Sequence, residues 1–113
     1  MARVTLDPGQ LTARLMLQQA NEVSDGQGGV TRSWTDEGEL WAAIRPLNLH
    51  HGEVAGAQRA TALFDIWLMM RSDISVGMRL KKGARYFVIL SLRDADADEA
   101  GRFLILRCEE VAQ

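Results

Sequence analysis

The sequence predicts an all-β protein, a small antiparallel β-barrel of about six strands with a long inter-strand loop. Three observations point there. Apolar residues recur at every second position through most of the chain. Gly, Asp, Ser and Asn cluster between the apolar runs, at spacings that suit hairpins. A helix fits only near the termini or in the central loop. Closure follows because a small open sheet would leave two unpaired edges.

Each element can be justified in turn. Over Ala13–Gln19, Ala13, Leu15 and Leu17 share one face, with Arg14 and Gln18 on the other. The following NEVSDGQGG reads as a loop whose glycines accept positive φ at little cost. A strand over Thr31–Trp34 and another over Leu40–Pro46 come next; Leu40, Ala42 and Ile44 share a face, and Pro46 ends the ladder. From Leu47 to Ala60, LNLHHGEVAGAQRA breaks the alternation and reads as a loop with a helical turn. Thr61–Arg71 is the longest strand, with Ala62, Phe64, Ile66, Leu68 and Met70 on one face. RSDISVG is a turn and MRLKKG a short strand ending in a second turn. The runs YFVILSL and FLILRC give the last two strands, joined by DADADEAG.

Alternation assigns an inside to each strand, yet the opposite face is also apolar. Met16, Trp41, Trp67, Met69, Phe87, Ile89, Phe103 and Ile105 fall on it. Two readings stand side by side. Barrel ends and the N-terminal arm cover these residues, or Trp41, Trp67, Met69, Phe87 and Phe103 form an inter-subunit interface.

At 113 residues the chain makes one domain with a modest core. A formal net charge of −2 supplies no electrostatic grip on nucleic acid or anionic membrane. The single cysteine, Cys108, rules out an internal disulfide framework, and a reducing interior is the expected compartment. The N-terminus MARVTLDPGQ has no apolar signal core. No apolar stretch reaches the length of a membrane helix.

Candidate chemistry is sparse. His50 and His51 are adjacent, so on an extended chain they point to opposite sides, poor geometry for one metal ion. Asp94, Asp96, Asp98 and Glu99 begin like a calcium loop, but Glu99 and Ile105 stand where Gly and Glu are needed. Cys108 lies in line with Leu104 and Leu106 and reads as a small core residue. No nucleophile–base motif and no phosphate-binding glycine loop is present, so no enzyme and no cofactor is expected. The rival reading is a small all-β nucleic-acid-binding module. It would stack bases on Tyr86, Phe87 and Phe103 beside Arg85, Arg93 and Arg102.

One ordered set of motifs carries a resemblance. GQLTARLMLQQ, SW, WAAIRPL, GEVAGAQ, MMRSDISVGMRL and RYFVILSLRDADADEAGRFLILRCEE follow one another from about Gly9 to Glu110. Each is weak alone. In this order, with the Trp-Ala-x-Ile-Arg-Pro block ahead of the Arg-x-Asp-Ile block, the chain resembles the phage head–tail joining proteins, also called head-closure or stopper proteins. Their relatives serve gene transfer agents, and the sequence does not separate phage from gene transfer agent.

The resemblance implies one connector domain over 1–113, with 1–10 as an N-terminal arm and 47–60 as a projecting loop. It implies a homo-oligomeric ring, a hexamer, with the adaptor or portal ring on the head side and a tail terminator or tail tube on the other. Packaged double-stranded DNA would pass through the channel without sequence recognition and be retained there, in a particle assembled in the bacterial cytoplasm. His50, His51, Gly52, Glu53, Val54 and Gln58 would belong to the channel or stopper loop. The family carries no catalytic residues to transfer.

Overall fold

In a computed structural model of the chain, residues 8–47, 50–54, 57–94 and 103–112 are described, with the backbone alone for 50–54 and 57–61. A single 3-10 turn, Pro8–Gln10, precedes eight strands: β1 (Ala13–Ser24), β2 (Val30–Pro46), β3 (His50–Val54), β4 (Ala57–Thr61), β5 (Leu63–Met69), β6 (Arg79–Lys82), β7 (Arg85–Asp94) and β8 (Phe103–Val111). Six of them close a ring of antiparallel pairings in the order β1-β2-β5-β8-β7-β6. The all-β expectation holds, and no α-helix occurs among the described residues.

The core follows from alternation inside that ring. Leu15 and Leu17 of β1 meet Leu40 and Ala42 of β2, Ile66 and Leu68 of β5, and Leu104, Leu106 and Cys108 of β8. Phe64 and Phe87 pack edge to face at 5.2 Å, an arrangement that aromatic quadrupoles favour. Ile74 and Met78, from the segment between β5 and β6, add to this cluster. The turn there is held by Arg71, whose Nε and Nη2 both donate to Asp73, at 2.9 and 2.7 Å.

Four sequence expectations need correction. First, Thr31–Trp34 and Leu40–Pro46 are one strand of 17 residues. The acidic Asp36-Glu37-Gly38 stretch is a β-bulge: Leu17 pairs with Gly38 and Gln18 with Asp36, leaving Glu37 unpaired. Gly38 takes φ 136, a value that L side chains rarely adopt. The extra residue reverses the phase of β2 against β1, and Gln18, bonded to Asp36 and Arg79, is buried beside Leu17. Secondly, Asn21–Ser24 belongs to β1, and only the tip turns. There the Asp25 carboxylate accepts from the backbone N–H groups of Gln27 and Gly29, at 2.7 and 3.0 Å. Those bonds hold its pKa below the usual carboxylate value.

Thirdly, Phe87 and Ile89 do not share the outer face. Both are buried in the barrel core, while Leu90 and Leu92 are exposed. The reason is the pairing partner: Ile89 sits opposite the inward-facing Cys108, and a second irregularity then skips Leu90. Fourthly, in the central segment 47–60, expected as a loop with a helical turn, residues 50–54 and 57–60 are strand. Their backbone forms the β3–β4 hairpin, with Glu53 opposite Gln58, as a two-stranded sheet separate from the barrel. The DADADEAG segment lies largely outside the described residues.

β1 and β2 run on past the barrel ladders as a two-stranded ribbon, touching the barrel through Trp34 on Arg79. β6 pairs with β1 only over Met16–Gln18, and β5 pairs with β2 only over Ala42–Pro46. Beyond those limits Gln19–Ser24 pairs with Val30–Thr35 alone. Six residues of strand extend about 20 Å.

Candidate functional site

The outer face of β1, β2, β5 and β8 is built in rows. Arg14 pairs with Trp41 and Met69 with Phe103, and Trp41 and Met69, one residue past the last β2–β5 pair (Ala42–Leu68), line one groove, so these four residues make the first row. The next row runs Ala43, Trp67, Ile105 and Arg93. A third contains Arg45, Asp65 and Arg107. Two rows are therefore aromatic and aliphatic, and the third is charged.

The middle row is covered. Leu11, which follows the 3-10 turn, packs with Ala43, Trp67, Phe103 and Ile105 in a second buried cluster. Arg45 stacks over the Trp67 ring at 5.6 Å and donates from Nη2 to Gln10 Oε1 at 3.4 Å, linking the turn to the sheet. Within the single chain, Trp67, Phe103 and Ile105 are thus covered by Leu11.

Trp41 and Met69 are different. They remain 51% and 47% exposed, at the edge of the covered cluster. With Leu11 and Thr12 they line a shallow groove of about 710 Å³. A smaller cavity of about 210 Å³ lies between Leu40, Trp41, Leu68, Met69 and Arg71. Arg14 lies over the Trp41 ring at 4.8 Å and approaches Glu39 at 3.5 Å. Of the five residues expected at an interface, Trp41, Trp67, Met69 and Phe103 share this face. Phe87 is inside the barrel and has no surface to offer.

The charged row carries its own balance. Asp65, only 9% exposed, accepts from Arg107 Nε at 2.6 Å and has Arg93 Nη2 at 3.8 Å. The bond to Asp65 holds the Arg107 pKa above its ordinary value. Sequence reasoning missed Asp65. The signal was available, since an acid inside an apolar strand needs a cationic partner on the neighbouring strands.

Cys108 is fully buried, and desolvation pushes its thiol up to about 12, which keeps it protonated and unreactive. No cluster of metal-ligating side chains occurs among the described residues. The stacking platform of the rival reading does not form. Phe87 is in the core, Phe103 is buried, and Tyr86 has Arg79 at 4.3 Å and Lys81 at 6.0 Å. Arg85 is engaged by Glu110 through two bonds of 2.9 and 3.0 Å, and Arg102 lies outside the described residues. His50, His51, Gly52, Glu53 and Val54 fall on β3 and Gln58 on β4.

Comparison with known proteins decides the family. The family model described as phage head completion protein matches residues 6–111. The chain belongs to that family. Among solved structures it is similar to a chain of the virion of a native gene transfer agent particle, at 27% identity and TM-score 0.71. That alignment covers 91% of this chain and 97% of the other. It is also similar in fold to protein SF1141 from Shigella flexneri 2a, at 24% identity and TM-score 0.66, covering 96% and 99% of the two chains. No curated protein matches it. As a head completion protein it is a structural component of phage or phage-like particles.

Proposed function

We propose that this head completion protein forms a ring, a hexamer, beneath the portal and its adaptor. There it retains packaged double-stranded DNA and presents the docking platform for a tail terminator or tail tube. The observation that carries the reading is the family match over residues 6–111, which takes in the barrel and both of its hairpin extensions.

Two features support the finer role. The β3–β4 hairpin makes no ladder with the barrel, so it is free to project. Five residues of strand reach about 17 Å, far enough for hairpins from several copies to obstruct a channel. The protein also leans acidic, at −2 overall, so a DNA duplex would pass without being gripped.

Replacing His50–Gln58 by a tight turn tests the stopper role. Removing a separate two-stranded sheet leaves every barrel pairing in place, so the variant should melt close to the unaltered protein. Particles assembled with it should package DNA and then leak it, or fail to accept tails. Full retention of DNA together with normal tail attachment would refute the assignment of this hairpin.

A further inference from the structure

We propose that the β1–β2 ribbon of one copy docks on the Trp41–Met69 groove of a second copy of this chain. This deepens the ring reading above and rests on it, because it names the surfaces that meet at each junction.

The ribbon needs a partner. Both its edges are unpaired among the described residues, and a lone two-stranded hairpin is marginal in water. Its tip carries Val23 and Val30 on either side of the Asp25 turn, at 60% and 63% exposure. Apolar side chains at the end of a projecting strand pair do nothing for the barrel that bears them. The groove has the matching deficit, because Trp41 and Met69 stay half exposed beside a cluster that Leu11 has already closed.

Charge decides which surface is the occupant. Between Gln19 and Glu37 the ribbon and its bulge carry Glu22, Asp25, Asp36 and Glu37 against Arg32 alone. Arg32 is already paired with Glu22 at 2.7 Å. The groove is flanked by Arg14, which approaches Glu39 at 3.5 Å, and by Arg71, which is bonded to Asp73 at 2.7 Å; Arg45, two rows away, has no acidic partner among the described residues and leaves this side net positive. One molecule thus bears an acidic projection and an arginine-rimmed apolar seat. Two unlike, complementary surfaces on one chain join head to tail, the type of contact that closes rings. A different protein as occupant would have no reason to be acidic in the same way, whereas the ribbon of the neighbouring copy is.

Cysteine cross-linking in assembled particles tests the contact. Thr12 and Val23 are both exposed and lie eleven residues apart along one extended chain, about 36 Å. No short bismaleimide bridges them within one copy. The native Cys108 is fully buried and stays silent. Thr12→Cys combined with Val23→Cys should give dimers and higher multiples on a denaturing gel, and either substitution alone should give none. If Thr12→Cys disturbs folding, Met69→Cys replaces it and the same ladder is expected.

Three results would overturn the proposal. One is the absence of a ladder from complete particles that contain the double variant. Another is a dimer from Val23→Cys alone, which would mean that two ribbons meet each other. The third is cross-linking only to a different protein. Absence of the unaltered protein from purified particles would sink the head–tail reading first and the proposal with it.

Discussion

Arg79→Met is the substitution that most directly tests how the ribbon is attached to the barrel. Arg79 opens β6 and is only 7% exposed. Its guanidinium lies 4.0 Å from the Trp34 ring and 4.3 Å from the Tyr86 ring, so it is clamped between two aromatic faces. Its Nε donates to Gln18 Oε1 at 2.7 Å, and Gln18 Nε2 donates to Asp36 Oδ1 at 2.7 Å. Methionine keeps the apolar stem and removes the cation and the donor. Two desolvated cation–π contacts are worth about 1–2 kcal/mol each. Leaving the buried Gln18 oxygen without a donor costs about 1–3 kcal/mol more. Against this, the guanidinium no longer has to be desolvated, a cost already visible in the lowering of its pKa by burial. The net loss should be about 2–4 kcal/mol, or a fall in Tm of about 8–16 °C for a domain of this size. Arg79→Lys should fall between the two, since an ammonium keeps the charge and loses the planar stack. Amide exchange should quicken in Gln19–Ser24 and Val30–Thr35 more than in β5 or β8. A Tm drop below about 3 °C with unchanged exchange in the ribbon would refute this account.

Two further outcomes follow from the same geometry. Trp67→Lys should cost about 3–5 kcal/mol in chemical denaturation, because it places an ammonium in the Leu11 cluster. Met69→Lys, one row away and half exposed, should stay within about 0.5 kcal/mol of the unaltered protein; equal losses for the two would contradict the covered and uncovered rows. Cys108 should resist alkylation at pH 8 in the folded protein and react only on unfolding. Its thiol is raised from 9.0 to about 12, so the folded state holds a proton that the unfolded chain releases. Its contribution to stability is therefore full below pH 9 and is lost as pH rises toward about 12. Fast labelling of folded protein at pH 8 would show that the barrel opens there.

Alternation made the barrel legible, and its interruptions hid the rest. Leu15, Leu17, Leu40, Ala42, Ile66 and Leu68 all lie where period two puts them. The bulges at Glu37 and Leu90 could not be read that way, because an extra residue reverses the phase and leaves no compositional mark. That is why Asp36-Glu37-Gly38 looked like a break between two strands, and why Phe87 and Ile89 were assigned to the wrong face. The outer face was legible as apolar from Trp41, Trp67, Met69 and Phe103. Which of them stayed uncovered was not, because it depends on where Leu11 folds back, a long-range contact with no local signal. The hairpin over His50–Thr61 was missed as strand because its small and polar residues lack the alternation of a half-buried sheet.

The exposed row also sets how strongly copies should hold one another. Trp41 and Met69 are 51% and 47% exposed. Together they offer about 200 Å² of largely apolar side chain for burial. At about 25 cal/mol per Å², that is worth about 5 kcal/mol, and the ribbon valines add about 2–3 kcal/mol. Association costs about 4–15 kcal/mol in lost rigid-body freedom, so one such junction barely breaks even. In a closed ring each copy is held by two junctions, and a preassembled head would fix most of the orientation beforehand. The free chain should therefore be a monomer at about 10 μM and oligomerise only when a head presents its neighbours side by side. Mass measurement across a concentration series checks this. A ring that persists at nanomolar concentration would need far more buried surface per junction than the Trp41 row and the ribbon provide, and would refute the magnitude.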